Sequence, residues 1–264
     1  MNIVFHEFRA NLRSLVIWMG CMVVLVFMML TEFSAYYNNP EMTAILDSIP
    51  SAFLDAFGMQ GANLTTVSGF VSVMALYFQI MLGIFAVLLG HNMIAKEEGQ
   101  RTGEFLMTMP ITRIKAVISK LMVAVVNCVL LVIATSISVV IGTWSYSPDA
   151  HFYRFLTLVF VTIFLLQLVF LSMGFLFAAV IKQPKLSGGL AVGSVIVTYL
   201  LSVLVALSDS LDFLKYVTPF KYFEANQLLR DMSISSIYLL LTVSIIVLAI
   251  AISFFVYTKR DLKI

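Results

Sequence analysis

Six long apolar stretches, separated by shorter polar segments, run along the whole chain. Each lacks Asp, Glu, Lys and Arg at its centre, and each is close to the about 20 mostly apolar residues that a membrane-crossing helix requires. Because a helix satisfies its own backbone hydrogen bonds in lipid, the pattern predicts an all-α integral membrane protein with six transmembrane helices. The predicted spans are residues 15–31, 69–93, 121–142, 155–181, 188–207 and 237–257.

The composition excludes a water-soluble globule. Of the 264 residues, 61% are hydrophobic and only 11% are charged, whereas soluble domains carry roughly 25% charged residues. The excess of apolar side chains has to face the lipid bilayer, and the apolar stretches are spread over the full length. We therefore expect one membrane domain that covers residues 1–264.

The distribution of Lys and Arg sets the orientation of the spans. If the N-terminus is cytoplasmic, 12 of the 16 basic residues fall in inner segments and 4 in outer ones. The first outer loop, residues 32–68, carries four carboxylates and no Lys or Arg. The bias predicts that both the N- and the C-terminus are cytoplasmic.

The first fifteen residues carry an additional signal. Phe5, Phe8, Leu12 and Leu15 recur at helical spacing, with polar and charged residues between them. This favours a short N-terminal amphipathic helix that lies on the inner interface before the first span. The alternative is a frayed terminus with ordinary flanking charges.

Two outer segments are amphipathic rather than simply polar. Residues 40–59 alternate apolar and polar positions and are punctuated by Pro50 and Gly58, which predicts short helices on the outer interface. Residues 209–235 place several aromatic side chains among charges such as Lys221 and Glu224. A stretch of this kind can dip partly into the membrane.

The longest cytoplasmic segment, residues 95–120, connects the second and third spans. Its first half is charged, and Gly99 and Gly103 loosen the chain or admit another backbone. A short apolar patch follows, Pro110 interrupts it, and a basic stretch that contains Arg113 returns to the membrane. Two interpretations stay open on these grounds: a compact helix that docks on a cytosolic partner, and a solvated loop whose positive charges only set the topology.

This segment resembles the cytoplasmic loop of ABC-2-type ABC transporter permeases. In that family, one or two acidic residues precede G-T-x-E, a short apolar run and Pro-[Ile/Val]-[Ser/Thr]-Arg, with a Lys beyond. The family's adjacent Gly-Thr is separated here into Gly99 and the pair Thr102-Gly103. The matching residues are Glu97, Glu98, Thr102, Glu104, Pro110, Ile111, Thr112, Arg113 and Lys120.

Weaker matches extend the resemblance over the whole chain. Residues 49–58 are similar to the family's outer "LP…FG" segment, residues 218–223 to its "PF-x-YF" stretch, and residues 260–262 to its C-terminal ending. The six-span layout with both ends inside also agrees. Because no single motif is highly specific, the resemblance depends on the ordered set.

The resemblance implies that the chain is a permease half whose loop holds a coupling helix, seated in a groove of a separate ABC ATP-binding subunit. Two permeases, either identical copies or paralogues, would work with two ATPases, and ATP and Mg²⁺ would be bound by the partner ATPase. The implied location is the plasma membrane of a bacterium, and no nucleic-acid partner is expected. The residues implied in coupling are Glu97, Glu98, Gly99, Thr102, Gly103, Glu104, Phe105, Pro110 and Arg113.

The chain itself lacks the residues for ATP hydrolysis. No G-x-x-x-x-G-K-[ST] occurs, so no phosphate-binding loop with its lysine is present. No nucleophile–base pair or paired carboxylates stand at useful spacing, and the three His and two Cys form no metal-ligand pattern. We therefore predict that the chain is not an enzyme and has no catalytic, cofactor-binding or metal-ligating residues of its own.

A few polar and small residues stand out within the spans. Gln79, Asn127 and Gln167 are costly in lipid, so each is expected to line a translocation path or to make an interhelical hydrogen bond. His91, at the inner end of the second span, is expected at the membrane interface. The small residues Gly188, Gly189 and Gly193 predict close packing of the fifth span on another helix, within the chain or across a dimer.

The expected function is that of the membrane subunit of an exporter with an amphipathic or hydrophobic cargo, such as a peptide antibiotic, a drug or a lipid. A secondary transporter is the first alternative. It would need an ionisable residue at membrane depth, and the predicted spans contain none. The second alternative is a non-transporting regulator or scaffold that docks the same kind of ATPase.

Overall fold

The computed structural model describes residues 3–39, 41, 48–50, 54, 57, 59, 62–99 and 113–259. Within these ranges the chain forms helices and no strand. Two 3-10 helices, Trp144–Tyr146 and Asp209–Tyr216, lie between longer elements. The α-helices are α1 (Ile3–Tyr36), α2 (Val67–Gly99), α3 (Arg113–Thr143), α4 (Ala150–Val180), α5 (Pro184–Leu207), α6 (Pro219–Tyr222), α7 (Ala225–Asp231) and α8 (Ser236–Lys259).

Six of the described helices, α1 to α5 and α8, are long and apolar enough to cross a membrane. Every predicted span falls on one of them, with residue 181 just beyond a helix end. The predicted all-α, six-span architecture is therefore confirmed. An even number of crossings puts both chain termini on the same side of the membrane, and that this side is the cytoplasm stays a prediction from the charge bias.

Helices α2 and α4 form the centre of the bundle. In their most apolar stretches 67% of the residues are buried, against 17% in α5 and α8. Glycines bring the two backbones together: a Cβ on Gly174 would collide with the carbonyl oxygen of Val87, and a Cβ on Gly90 with that of Leu171. Such close approach allows the dense packing that holds helices together in lipid.

Local sequence signals set the join between α4 and its neighbours. The Asp149 side chain accepts a hydrogen bond from the backbone N–H of Phe152 at 2.9 Å and so caps the start of α4. Pro184 stands in the first turn of α5, where a helix needs no backbone N–H from that residue. The short turn between Val180 and Pro184 makes α4 and α5 neighbours at the inner side.

Helix α1 corrects one expectation. The residues before the first span are helical, as predicted, but they continue into the span without a break, so no separate helix lies across the inner interface. Leu15 is buried and Phe8 packs on the core, whereas Phe5 and Leu12 are exposed. The physical reason is that polar contacts of Glu7, described below, hold this part of α1 against the bundle.

The segment between α5 and α8, residues 208–235, is called the outer segment here. Pro219, Phe220, Tyr222 and Phe223 in it are buried. The Phe220 ring lies 5.5 Å from the Phe170 ring of α4, measured between centroids. The outer segment therefore enters the bundle from the outer side. The interface helices expected in residues 40–59 lie largely outside the described residues.

Candidate transport and coupling sites

The inner ends of α2 and α3 frame the predicted coupling loop. Glu97, Glu98 and Gly99 are the last three residues of α2, so the charged stretch prolongs this helix beyond the predicted span. Arg113 is the first residue of α3. The role of these residues in coupling stays a prediction. The remaining coupling candidates, which lie outside the described residues, are Thr102, Gly103, Glu104, Phe105 and Pro110.

Lys120, near the start of α3, is buried rather than solvated. It is 3% exposed, and lysines are almost never buried to this extent unless they are paired. Its ammonium group donates a hydrogen bond to the carbonyl oxygen of Met93 in α2 at 2.7 Å. The same group lies 4.0 Å from a carboxylate oxygen of Glu7 in α1. Lys120 thus joins α3 to both α2 and α1.

Asn11 completes an inner polar cluster, which comprises Glu7, Asn11, Met93 and Lys120. The Asn11 amide donates to the backbone carbonyl of Glu7 at 2.8 Å and lies 4.0 Å from the sulfur of Met93. Separating a desolvated charge pair leaves a charge without compensation, so the cluster fixes three helices relative to one another. From the sequence, Lys120 was named as the lysine beyond the family's loop pattern and as one of the inner basic residues. Its burial was not predicted, because burial of a lysine beside a span leaves no local signal.

His91 is buried where α2 meets α5. Its Nε2 lies 2.8 Å from the hydroxyl oxygen of Ser187, and its Nδ1 lies 3.3 Å from Oδ1 of Asn92. Gly188 accommodates the ring, since a Cβ there would stand 3.3 Å from it. The position of His91 at the membrane interface stays a prediction, but the burial of its side chain was not predicted. His91 is enclosed because α5 begins directly over the inner end of α2.

The three amides of the spans have different surroundings. Gln79 donates from Nε2 to the carbonyl oxygen of Phe223 at 2.8 Å and so ties α2 to the outer segment. Asn127 donates to the carbonyl oxygen of Val123, one turn earlier in its own helix, at 2.7 Å. Gln167 is fully buried, and neither polar atom of its side chain hydrogen-bonds to a described residue. That these amides line a path stays a prediction.

A cavity of about 130 Å³ lies between α2, α5 and the outer segment. This is well above the roughly 10–15 Å³ that one water molecule requires. At its wall, the Ser72 hydroxyl oxygen lies 2.5 Å from the Asn226 side chain, a second polar link between α2 and the outer segment. The polar side chains of the lining are Ser72, Gln79, Tyr199, Ser202, Lys221, Glu224, Asn226 and Arg230. Sequence reasoning singled out Gln79 alone among them for a place on a transport path.

Charged groups of the outer segment reach this cavity. Lys221 forms an ion pair with Glu224, with the two side chains 18% and 42% exposed. Phe220 and Tyr222, on either side of Lys221, are buried in the bundle. The spans contain no charge at their centres, but the outer segment supplies an ion pair beside Gln79. A secondary transporter therefore stays an alternative.

Further contacts hold the outer segment in place. The Tyr222 hydroxyl donates to the backbone carbonyl of Tyr216, and the Tyr222 ring stacks on Tyr238 of α8 with centroids 5.2 Å apart. Lys215 pairs with Asp212 at 2.5 Å, and this hydrogen bond raises the pKa of Lys215. The outer segment is thus fastened to α2, α4 and α8.

Helix α5 leaves its small-residue face open. No atom lies within 4 Å of a Cβ placed on Gly189 or on Gly193. Gly188 packs within the chain, on His91, but the Gly189–Gly193 pair contacts no other described helix. Close packing of this pair within the chain is therefore not observed, and packing against a second chain stays a prediction.

A bundle of six helices that are long and apolar enough to cross a membrane defines a multi-pass membrane protein. The chain belongs to the family described as ABC-2 family transporter protein, whose family model matches residues 1–262. No curated protein sequence matches the chain. Membership makes the chain a permease subunit of an ABC transporter, a transport component rather than a catalytic subunit, and implies an ABC ATP-binding partner in general.

Proposed function

We propose that this permease is an exporter half, driven by a separate ATP-binding subunit that docks on residues 95–120 and binds the ATP and Mg²⁺. The observation that carries the proposal is the bond from Lys120 to the backbone of Met93, which joins the two helices on either side of that loop. A displacement of the loop would move α2 and α3 together. The charge bias favours both termini in the cytoplasm, and the plasma membrane is the location that the family resemblance implies.

Helix α2 offers the route from the loop to the outer side. It runs without interruption from Val67 to Gly99 and therefore carries both the acidic start of the loop and Gln79. Gln79 in turn holds the outer segment through Phe223. A shift of α2 along its axis or about it would thus change the outer cavity. This supports alternating access driven from the cytoplasmic side.

The proposed assembly contains two permeases and two ATPases. The open face of α5 around Gly189 and Gly193 supports packing of a second permease, because small residues let helices associate closely in lipid. The cargo is proposed to be amphipathic or hydrophobic. Uncharged spans and a mixed polar and apolar cavity fit such a molecule better than a small inorganic ion.

Co-purification tests the partner. The tagged permease is extracted in mild detergent from its own host, and the retained proteins are identified by mass spectrometry. We expect an ATPase with a phosphate-binding loop in stoichiometric amount. A preparation that exports cargo but never retains such a subunit would sink the proposal.

A double substitution tests the docking loop. Gly103→Pro with Glu104→Lys should abolish cargo-stimulated ATP hydrolysis and export in proteoliposomes, while insertion and thermal stability stay unchanged. The control is Lys182→Glu, a charge reversal at an exposed position of the other inner turn. Export at the unaltered rate by the double variant would overturn the assignment of the loop.

A secondary transporter is the second candidate, and the Lys221–Glu224 pair beside the cavity is the observation that favours it. Proteoliposomes that contain the permease alone distinguish the two. Uptake driven by a proton or sodium gradient without ATP would establish the second candidate. Strict dependence on the ATPase and ATP would exclude it, and docking without any cargo movement would point to a regulator or scaffold.

A further inference from the structure

We infer that the cavity between α2, α5 and the outer segment binds the anionic head group of an amphiphile at the level of the outer leaflet. The inference concerns binding to this chain and stands independently of ATPase docking. It is carried by three features of the described residues, taken in turn: a polar interior, an unpaired cation and an adjoining apolar wall.

The interior of the cavity is polar although the surrounding helices are apolar. On α2, Ser72, Leu76 and Gln79 follow one another at helical spacing and face the cavity. On α5, Tyr199 and Ser202 add hydroxyl groups to the opposite wall. Ser72, Gln79 and Ser202 also hydrogen-bond within the chain, so they are held in place. The polar surface that they form is suited to a polar ligand rather than to an acyl chain.

The charge balance at the cavity is positive. Lys221 is paired with Glu224, which leaves the charge of Arg230. Within the described part of the chain, the Arg230 guanidinium makes no hydrogen bond and no ion pair, and Arg230 is exposed at the cavity mouth. A guanidinium presents paired N–H donors that match the oxygens of a phosphate or carboxylate. The favoured ligand group is therefore an anion of this type.

An apolar wall adjoins the polar cavity. Leu200, Leu204 and Leu207 of α5 are exposed, each one position beyond the cavity-lining residues Tyr199, Val203 and Ala206. These leucines form a continuous stripe along the outer half of α5, next to the opening. A polar, positively charged recess beside an apolar stripe is complementary to a molecule with an anionic head and a greasy tail, and not to a free anion.

The test is a binding titration of the purified full-length chain in a non-ionic detergent. Three probes are compared by microscale thermophoresis: dihexanoyl phosphatidylglycerol, dihexanoyl phosphatidylcholine and inorganic phosphate. We expect the anionic lipid to bind tightest. Arg230→Gln should weaken its binding about tenfold, the usual scale for loss of one charge-assisted hydrogen bond.

Matched controls separate the site from general surface charge. Arg154→Gln removes the same charge at an exposed position near the outer start of α4, away from the cavity lining, and should leave the affinity unchanged. Ala206→Phe fills the cavity and should abolish binding, whereas Leu204→Phe on the exposed stripe should not. Thermal melting of each variant verifies that it is folded.

Any of four results would overturn the inference. Equal binding of phosphatidylcholine would remove the role of the anion. Inorganic phosphate binding as tightly as the lipid would leave a plain anion site and no amphiphile. Equal effects of Arg230→Gln and Arg154→Gln, or unchanged binding by a folded Ala206→Phe variant, would place the ligand elsewhere.

Discussion

The ammonium group of Lys120 is buried, and a backbone carbonyl and a carboxylate replace the water molecules that would otherwise solvate its charge. Met93 and Glu7, on two other helices, supply these groups. In an apolar surrounding such contacts are strong, and removal of one member leaves the other poorly solvated. The residue thus contributes to the positions of three helices, although its sequence context is that of an ordinary topogenic lysine.

Lys120→Met should lower the stability of the purified permease by about 1–3 kcal/mol, because the Glu7 carboxylate loses its partner in a mostly buried position. Thermal unfolding in detergent measures the change as a fall of several degrees. Glu7→Gln with Lys120→Met should cost less than the two single changes added, since they remove one shared interaction. Lys182→Met, at an exposed inner position, is the control. Strict additivity would argue that Glu7 and Lys120 do not interact.

Gln79 and Gln167 are the same residue type in adjacent helices, with opposite hydrogen-bonding states. Gln79 has the carbonyl of Phe223 as its partner. Gln167 is fully buried, and its carboxamide has no partner among the described residues. A buried amide without a partner costs about 1–3 kcal/mol, while a bonded one contributes to stability.

The substitution Gln→Leu should therefore change stability in opposite directions at these two sites. Gln167→Leu should raise the thermal midpoint, and Gln79→Leu should lower it and loosen the outer segment. Hydrogen exchange of residues 218–226 reports that loosening. A midpoint that falls for Gln167→Leu would mean that the Gln167 side chain is satisfied in the folded protein, for instance as part of a solvated path.

The sequence predicted which polar side chains lie within or beside the spans, but not their hydrogen-bond partners. The amides were located because polar letters stand out in apolar runs. The acceptor of Gln79 is a backbone carbonyl 144 positions along the chain, and no periodicity can indicate such a pairing. The burial of Lys120 and His91 was not predicted for the same reason, since it depends on which helices pack against them.

At the scale of elements, the α2–α4 contact depends on the absence of side chains. Gly174 faces the Val87 carbonyl, and Gly90 faces that of Leu171. These contacts are between backbones, which cannot yield as flexible side chains do. The central pair of the bundle is consequently intolerant of even one methyl group.

Gly174→Ala should destabilise the permease by about 1–3 kcal/mol, the usual cost of overpacking a tight interior. Gly20→Ala is the matched control, since a Cβ there has nothing within 4 Å, and alanine is the better helix former. Both variants are compared by thermal unfolding in the same detergent. If Gly174→Ala melts with the control, the two helices do not approach as closely as described.

The prediction of elements succeeded where the length of an apolar run decides the secondary structure. A run of apolar residues long enough to cross the bilayer has few alternatives to a helix, and all six spans were found. It failed at the start of α1, where amphipathic spacing suggested a separate surface helix. Amphipathic spacing does not show whether such a helix ends before the span or continues into it, and α1 runs unbroken from Ile3 to Tyr36. The outer segment was recognised as amphipathic, but its seat on Phe170 was not predictable.

At the scale of the whole molecule, α5 carries a pair of glycines, Gly189 and Gly193, that nothing in the described part of the chain covers. Gly193→Cys, in a Cys21→Ser background that removes the exposed native thiol, should form a disulfide-linked dimer when membranes are oxidised. Leu240→Cys on α8, which is 70% exposed, is the control and should not. Cross-linking is read on non-reducing gels. Equal cross-linking at both positions would contradict the packing of a second permease specifically on α5.

The family of the whole chain was predictable because several short motifs occur in the family's order, although no one of them is specific by itself. The cargo and the arrangement of permeases in the complex were not, since both depend on surfaces formed by distant parts of the sequence. The outer cavity is an example, because its lining comes from α2 and, more than a hundred positions further along the chain, from α5 and the outer segment.

The unbroken course of α1 has a mechanical consequence. Its 34 residues give a rod of about 51 Å at 1.5 Å per residue, against a hydrocarbon thickness of about 30 Å. At its inner end α1 contacts Lys120 through Glu7. At its outer end it makes aromatic contacts such as that of Phe33 with Tyr146, whose ring centroids are 4.8 Å apart. Because α1 contains no proline that could act as a hinge, a thicker bilayer has to change the tilt of the whole helix, and this strains the contacts at both of its ends. A change in the thickness of the surrounding lipid would therefore act on the inner and the outer contacts of α1 at the same time.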